Sequence, residues 1–76
     1  MPHVIIKMYA GRSDEQKRRI AAAVTRALMD EAGASDASIS VGIEDVLPAD
    51  WAEAVYGPDI AGKPGTIVKP PGYDPR

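Results

Sequence analysis

Proline at position 2, directly behind Met1, is the residue of this chain with the most distinctive chemical potential. Inside a polypeptide a proline nitrogen is an amide, with no proton and no useful basicity. Removal of Met1 would convert it into a terminal secondary amine, both a base and a nucleophile, and a small residue after the initiator permits such trimming. An ordinary terminal amine titrates at about 7.7–8.0. Burial in an apolar pocket, or a neighbouring cation, disfavours the protonated form and lowers that value. The chain offers both influences, because an apolar segment begins at Pro2 and Arg12 follows its end. The length of that segment separates the two residues within one chain. A contact between them must come from the folding of the site or from another subunit.

Three other residues bear on such a site. Arg12 can bind a carboxylate through two parallel N–H donors, or be an exposed turn residue. Trp51 can form an apolar wall that desolvates Pro2, or pack in a core or interface. His3, beside Pro2, can shuttle a proton, or be an ordinary strand residue. Lys17, Arg18, Arg19 and Arg26 read as a solvated helix face. No nucleophilic triad, phosphate loop or carboxylate pair can be assembled.

The elements that must position these residues are legible. From Pro2 to Tyr9, Val4, Ile6 and Met8 alternate with His3, Ile5 and Lys7, which predicts a strand with one apolar and one mixed face. Ser13 stands three residues before Gln16, the spacing of a capping box, with Asp14 and Glu15 favourably placed against the helix dipole. A helix is predicted over about 14–32, with Ile20, Val24 and Leu28 as its apolar stripe, widened by Ala21 and Ala27, and Gly33 as its stop. Ser38 to Val46 reads as a second strand. Two strands joined by one helix make a βαβ unit with parallel strands and a right-handed crossover. A short helix is expected over 48–56, with Pro48 in its first turn and Gly57 near its end. Of the proline-rich remainder, only Thr66 to Lys69 suits a short edge strand.

The chain has 76 residues, no cysteine, one histidine and a formal net charge of −2. Domains this small bury only about 60% of their unfolded surface and need a staple, a metal or a partner. Disulfides and cysteine-ligated metals are excluded, and one histidine makes no His-rich cluster, so self-association is expected. No basic stripe suits nucleic acid. No apolar stretch reaches a membrane span or resembles a signal peptide. The expectation is one soluble, cytoplasmic domain over residues 1–76, with no nucleic-acid or membrane partner.

The combination of Pro2 opening a strand, the run Gly11-Arg12-Ser13-Asp14-Glu15-Gln16-Lys17, an amphipathic helix, Ser-Ile-Ser-Val at 38–41, Pro48 and Trp51 resembles the 4-oxalocrotonate tautomerase family. The segment Lys69-Pro70-Pro71-Gly72-Tyr73 and the chain length resemble its PptA-type, or phenylenolpyruvate, subgroup. The resemblance implies an α+β fold: a single β-α-β unit with parallel strands, a short helix and an extended C-terminal segment, its sheet completed by oligomerisation. The assembly implied is a homodimer, with a hexamer as the other form the family makes. It also implies a cofactor-independent, metal-free keto–enol tautomerase acting on a small 2-oxo or enol acid. Pro2 would be the catalytic base after Met1 removal, Arg12 would bind the substrate carboxylate or oxo group, and Trp51 would keep the pocket dry. One departure is informative. Where the founding enzymes carry a second arginine, this chain has Ser40, and a short neutral hydroxyl cannot replace a guanidinium as a charge clamp. A monocarboxylate with an apolar end suits that site better than a dicarboxylate. The alternatives are a hydratase or dehalogenase of a small unsaturated acid, in which protonated Pro2 donates a proton while water attacks, and a non-catalytic oligomeric interaction protein.

Overall fold

The computed structural model describes residues 1–76, which divide into two compact units, Met1–Asp45 and Val46–Arg76. The first is built on strand β1 (His3–Tyr9), helix α1 (Asp14–Ala32) and strand β2 (Ser40–Val46). The strands pair side by side and run parallel, as the βαβ pattern requires.

Helix α1 starts where its cap dictates. The Ser13 hydroxyl accepts the Gln16 amide N–H at 3.1 Å, and the Gln16 side chain accepts the Ser13 N–H at 3.0 Å. This reciprocal pair satisfies two of the donors a helix start leaves open. The helix ends at Gly33, whose φ of 68° lies in the left-handed region that glycine enters without steric cost.

Two polar contacts fix which face of the sheet is covered. The Ser40 N–H donates to the Pro2 carbonyl at 3.2 Å, which sets Ser40 opposite His3 in the parallel ladder. Val4, Ile6 and Met8 therefore share a face with Val41, Ile43 and Asp45. Lys17 on α1 reaches Asp45 at 2.7 Å, so the helix lies over that face. The side chains it half-buries recur at helical spacing: Lys17, Ile20, Ala21, Val24, Thr25, Leu28 and Met29. Ala27, expected on this stripe, is exposed; Thr25 and Met29 take the flank instead. On the other face, which carries His3, Ile5 and Tyr9, Ile5 keeps 56% of its surface in solvent. No residue of the first unit is fully buried.

Three local expectations are corrected. Strand β2 begins at Ser40, not Ser38, because residues 36–38 form a 3₁₀ turn in which both the amide and the hydroxyl of Ser38 bond the Ser35 carbonyl. In the second unit the predicted helix over 48–56 is a 3₁₀ turn, Pro48–Asp50, followed by a π-helical segment, Ala52–Ala61. That segment runs through Gly57 and Pro58 rather than ending there. Its wide turns close across five residues, as in the 2.8 Å bond from Gly62 N–H to the Gly57 carbonyl. A Cβ at Gly62 would lie 2.9 Å from the carbonyls of Gly57 and Pro58, so this crossing needs glycine. Finally, 66–69 is not a strand. Residues 64–66 make a 3₁₀ turn, with the Thr66 N–H and hydroxyl both on the Lys63 carbonyl.

The α1 cap yields a stability prediction. Ser13→Ala should cost about 1 kcal/mol, read as a lower denaturant midpoint with an unchanged slope.

Candidate active site

Pro2 stands at the head of β1, half-buried, with Met1 fully exposed in front of it. Its carbonyl is held by the Ser40 amide, so the backbone carrying the proline ring is tied into the sheet. Ser40 makes a second contact. Its hydroxyl lies 2.6 Å from Nδ1 of His3, on the face away from the helix. A hydrogen-bonded His3–Ser40 pair thus sits one residue from Pro2. The sequence places His3 beside Pro2, but only the ladder register places Ser40 opposite His3.

Arg12 lies elsewhere. It follows β1, whose seven residues at about 3.3 Å each span roughly 20 Å, so a single copy does not bring Arg12 to Pro2. One guanidinium N–H donates to the Tyr9 carbonyl at 3.1 Å, bracing the turn around Gly11, where φ is 125°. Arg12 also lines an open groove of about 330 Å³ with Gln16, Arg19, Ile20 and Ala23. Arg19, read from the sequence as part of a solvated face, is one of two cations on that groove and pairs with Glu15 at 3.6 Å.

Trp51 belongs to the second unit, where it follows the Pro48–Asp50 turn and is half-buried. Its indole N–H donates to the Tyr73 hydroxyl at 2.9 Å. Tyr73 packs on Tyr56 with ring centroids 5.7 Å apart and planes tilted by 57°. The Arg76 guanidinium lies 4.8 Å above the Tyr56 ring, and Asp74 accepts from the backbone and guanidinium of Arg76. The sequence carried no spacing signal for this cluster, whose members are 22 residues apart at Trp51 and Tyr73.

The comparisons with known proteins point one way. A family model described as tautomerase enzyme matches residues 2–57. The chain belongs to the tautomerase family. Membership makes it an isomerase and agrees with the resemblance read from Pro2, the Gly11–Lys17 run and Trp51. A probable tautomerase of Xylella fastidiosa (strain 9a5c) is 41% identical over 73 residues, covering 96% of this chain and 89% of that protein. Tautomerase PptA of Escherichia coli (strain SMS-3-5 / SECEC) is 35% identical over 74 residues, covering 96% and 97%. Among solved structures, YwhB, a homologue of 4-oxalocrotonate tautomerase, superposes with a TM-score of 0.59 at 46% identity, covering 60% of this chain and 75% of that one. No helix of this family member is long and apolar enough to cross a membrane.

The tail contact is open to a pH test. Hydrogen bonds from Arg76 hold the Asp74 carboxyl below its ordinary value. A depressed carboxyl contributes above its unfolded value and loses that contribution as pH falls through the lower, folded one. Carbon-detected titration of Asp74 should give a midpoint below about 3.9, and Arg76→Ala should move it up toward that figure.

Proposed function

We propose that this chain is a cofactor-independent keto–enol tautomerase for a small 2-oxo or enol monocarboxylate with an apolar end, of the phenylenolpyruvate kind. Pro2 is its general base once Met1 has been removed, and residues 1–76 act as one tautomerase-like domain. The neutral secondary amine takes the enol hydroxyl proton as the C–O bond becomes C=O, and a proton is returned to the adjacent carbon. The net change is an isomerisation. No redox partner is needed.

The observation that carries this reading is the anchoring of Pro2. A proton carrier must hold its nitrogen in a defined place, and the Ser40 amide ties the first residue of a processed chain to the second strand. The site's charge supports the same substrate class. Ser40 offers no cation, and its hydroxyl is engaged by His3, which leaves Arg12 as the carboxylate ligand and suits one carboxylate rather than two. Trp51 supplies the apolar wall.

Because roughly 20 Å of strand separates Pro2 from Arg12, the complete site takes Pro2 from one copy and Arg12 from another. Ile5, 56% exposed on the face away from the helix, supports self-association, and we favour a homodimer. Sedimentation should therefore show a stable oligomer, and a monomer with full activity would overturn the shared site.

The test begins with the mass of the purified chain, to establish that Met1 is gone. Ketonisation of phenylenolpyruvate should then fall about 10²–10⁴-fold in Pro2→Ala, the usual contribution of general acid–base transfer. Equal rates in both proteins would refute the assignment. Arg12→Ala should lower kcat/KM by about 10–100-fold, mostly through KM, in keeping with the loss of a charged hydrogen bond.

A further inference from the structure

We propose that His3 is a second catalytic residue of the site built on Pro2. Its Nε2–H donates to the oxygen on C2 of the substrate, and the Ser40 hydroxyl fixes the imidazole in the tautomer that can do so. The proposal rests on the tautomerase reading above. It names the group that meets the charge left on oxygen when Pro2 takes the enol proton.

Ser40 touches this end of β1 twice. Its amide N–H donates to the Pro2 carbonyl at 3.2 Å, and its hydroxyl lies 2.6 Å from Nδ1 of His3. The first contact is made by the backbone and asks for no particular side chain. The second does. A neutral imidazole carries its proton on one nitrogen or the other, and the bond made at one nitrogen decides which. A hydroxyl that donates to Nδ1 leaves the proton on Nε2, at the edge of the ring turned from Ser40. His3 is exposed, so a ligand can reach that edge.

The place of His3 suits one oxygen of the substrate. It is the neighbour of Pro2, with Cα atoms about 3.8 Å apart. The reacting nitrogen of a processed Pro2 is a main-chain atom at the head of the strand, so it can be approached from the His3 side of the sheet. The next side-chain donor on that side of β1 is Lys7, four residues on and about 13 Å away at strand spacing. As the amine takes the enol hydroxyl proton, negative charge grows on the C2 oxygen until a proton reaches the adjacent carbon. A donor already held at that oxygen stabilises this stage without reorganising. His3 transfers nothing: one proton moves from oxygen to carbon by way of Pro2, and Arg12 is left to the carboxylate.

His3 is the only histidine, so long-range proton–nitrogen spectra of the full, Met1-processed chain report its ring alone. The wild-type ring should show the Nε2–H tautomer. Its Nε2 signal should move with benzoylformate, an aryl 2-oxo acid that cannot enolise, and stay put with phenylacetate, which lacks the C2 oxygen. Both side chains of the pair are exposed, so substitution leaves no cavity. His3→Ala should lower kcat for phenylenolpyruvate by about 10–100-fold, the range of a lost hydrogen bond to a charged group, with KM changed less than about threefold. His3→Gln keeps an N–H at similar reach and should recover much of that loss. Ser40→Ala retains the amide that anchors Pro2 and should lose about 3–10-fold in kcat, as for one neutral hydrogen bond. A wild-type ring with its proton on Nδ1 alone overturns the proposal, and so does an Nε2 signal indifferent to benzoylformate. So does a rate for His3→Ala or Ser40→Ala equal to wild type, or a His3→Gln rate no higher than that of His3→Ala. If turnover proves independent of Pro2 while benzoylformate still moves the Nε2 signal, the catalytic reading falls and the assignment of His3 to the C2 oxygen stands.

Discussion

A two-stranded parallel sheet with a single crossover helix has only one face covered by that helix, and the packing of the first unit follows from that geometry. Parallel strands need a crossover, and one helix can cross only one face. Lys17 and Asp45 show which face that is, because their ion pair ties α1 to the side of β2 that also carries Val41 and Ile43. The helix half-buries a continuous stripe but completes the burial of no residue. A domain so small buries only a modest share of its surface by itself. Ile5 is large and exposed on the side away from the helix.

The same geometry bears on chemistry. A strand is a rigid spacer, and β1 puts Pro2 at one end and Arg12 beyond the other. If Pro2 and Arg12 are the acting groups, as proposed, residues held that far apart cannot act on one small acid within one chain. On that proposal, association and a complete site would follow from one constraint. At the Pro2 end the register of the strands decides the contacts: Ser40 anchors the proline carbonyl through its amide and pairs its hydroxyl with His3.

The second unit is organised differently. It has no strand of its own; its order comes from wide helical turns that admit Pro58 and require Gly62, and from an aromatic cluster around buried Tyr56. The tail joins that cluster through a hydroxyl, a ring and a guanidinium rather than through backbone pairing. Such side-chain anchoring is compatible with several prolines, which would be costly in any ladder.

Local chemistry determined what the sequence alone made legible. The Ser13–Gln16 box, the Gly33 stop, the alternation in β1 and the stripe Ile20, Val24, Leu28 act over a few residues. The helix boundaries, the βαβ order and the family resemblance could therefore be read directly. Boundaries set by competing short-range bonds were less legible, which is why Ser38 went to a turn and not to β2. Proline and glycine likewise promised an end at 57–58 that a five-residue hydrogen-bond spacing removed. What only the tertiary structure decided were the pairings between distant residues: Ser40 with His3, Lys17 with Asp45, Trp51 with Tyr73. Those depend on strand register and on the path of the tail, and register and path are properties of the folded chain that no local spacing encodes.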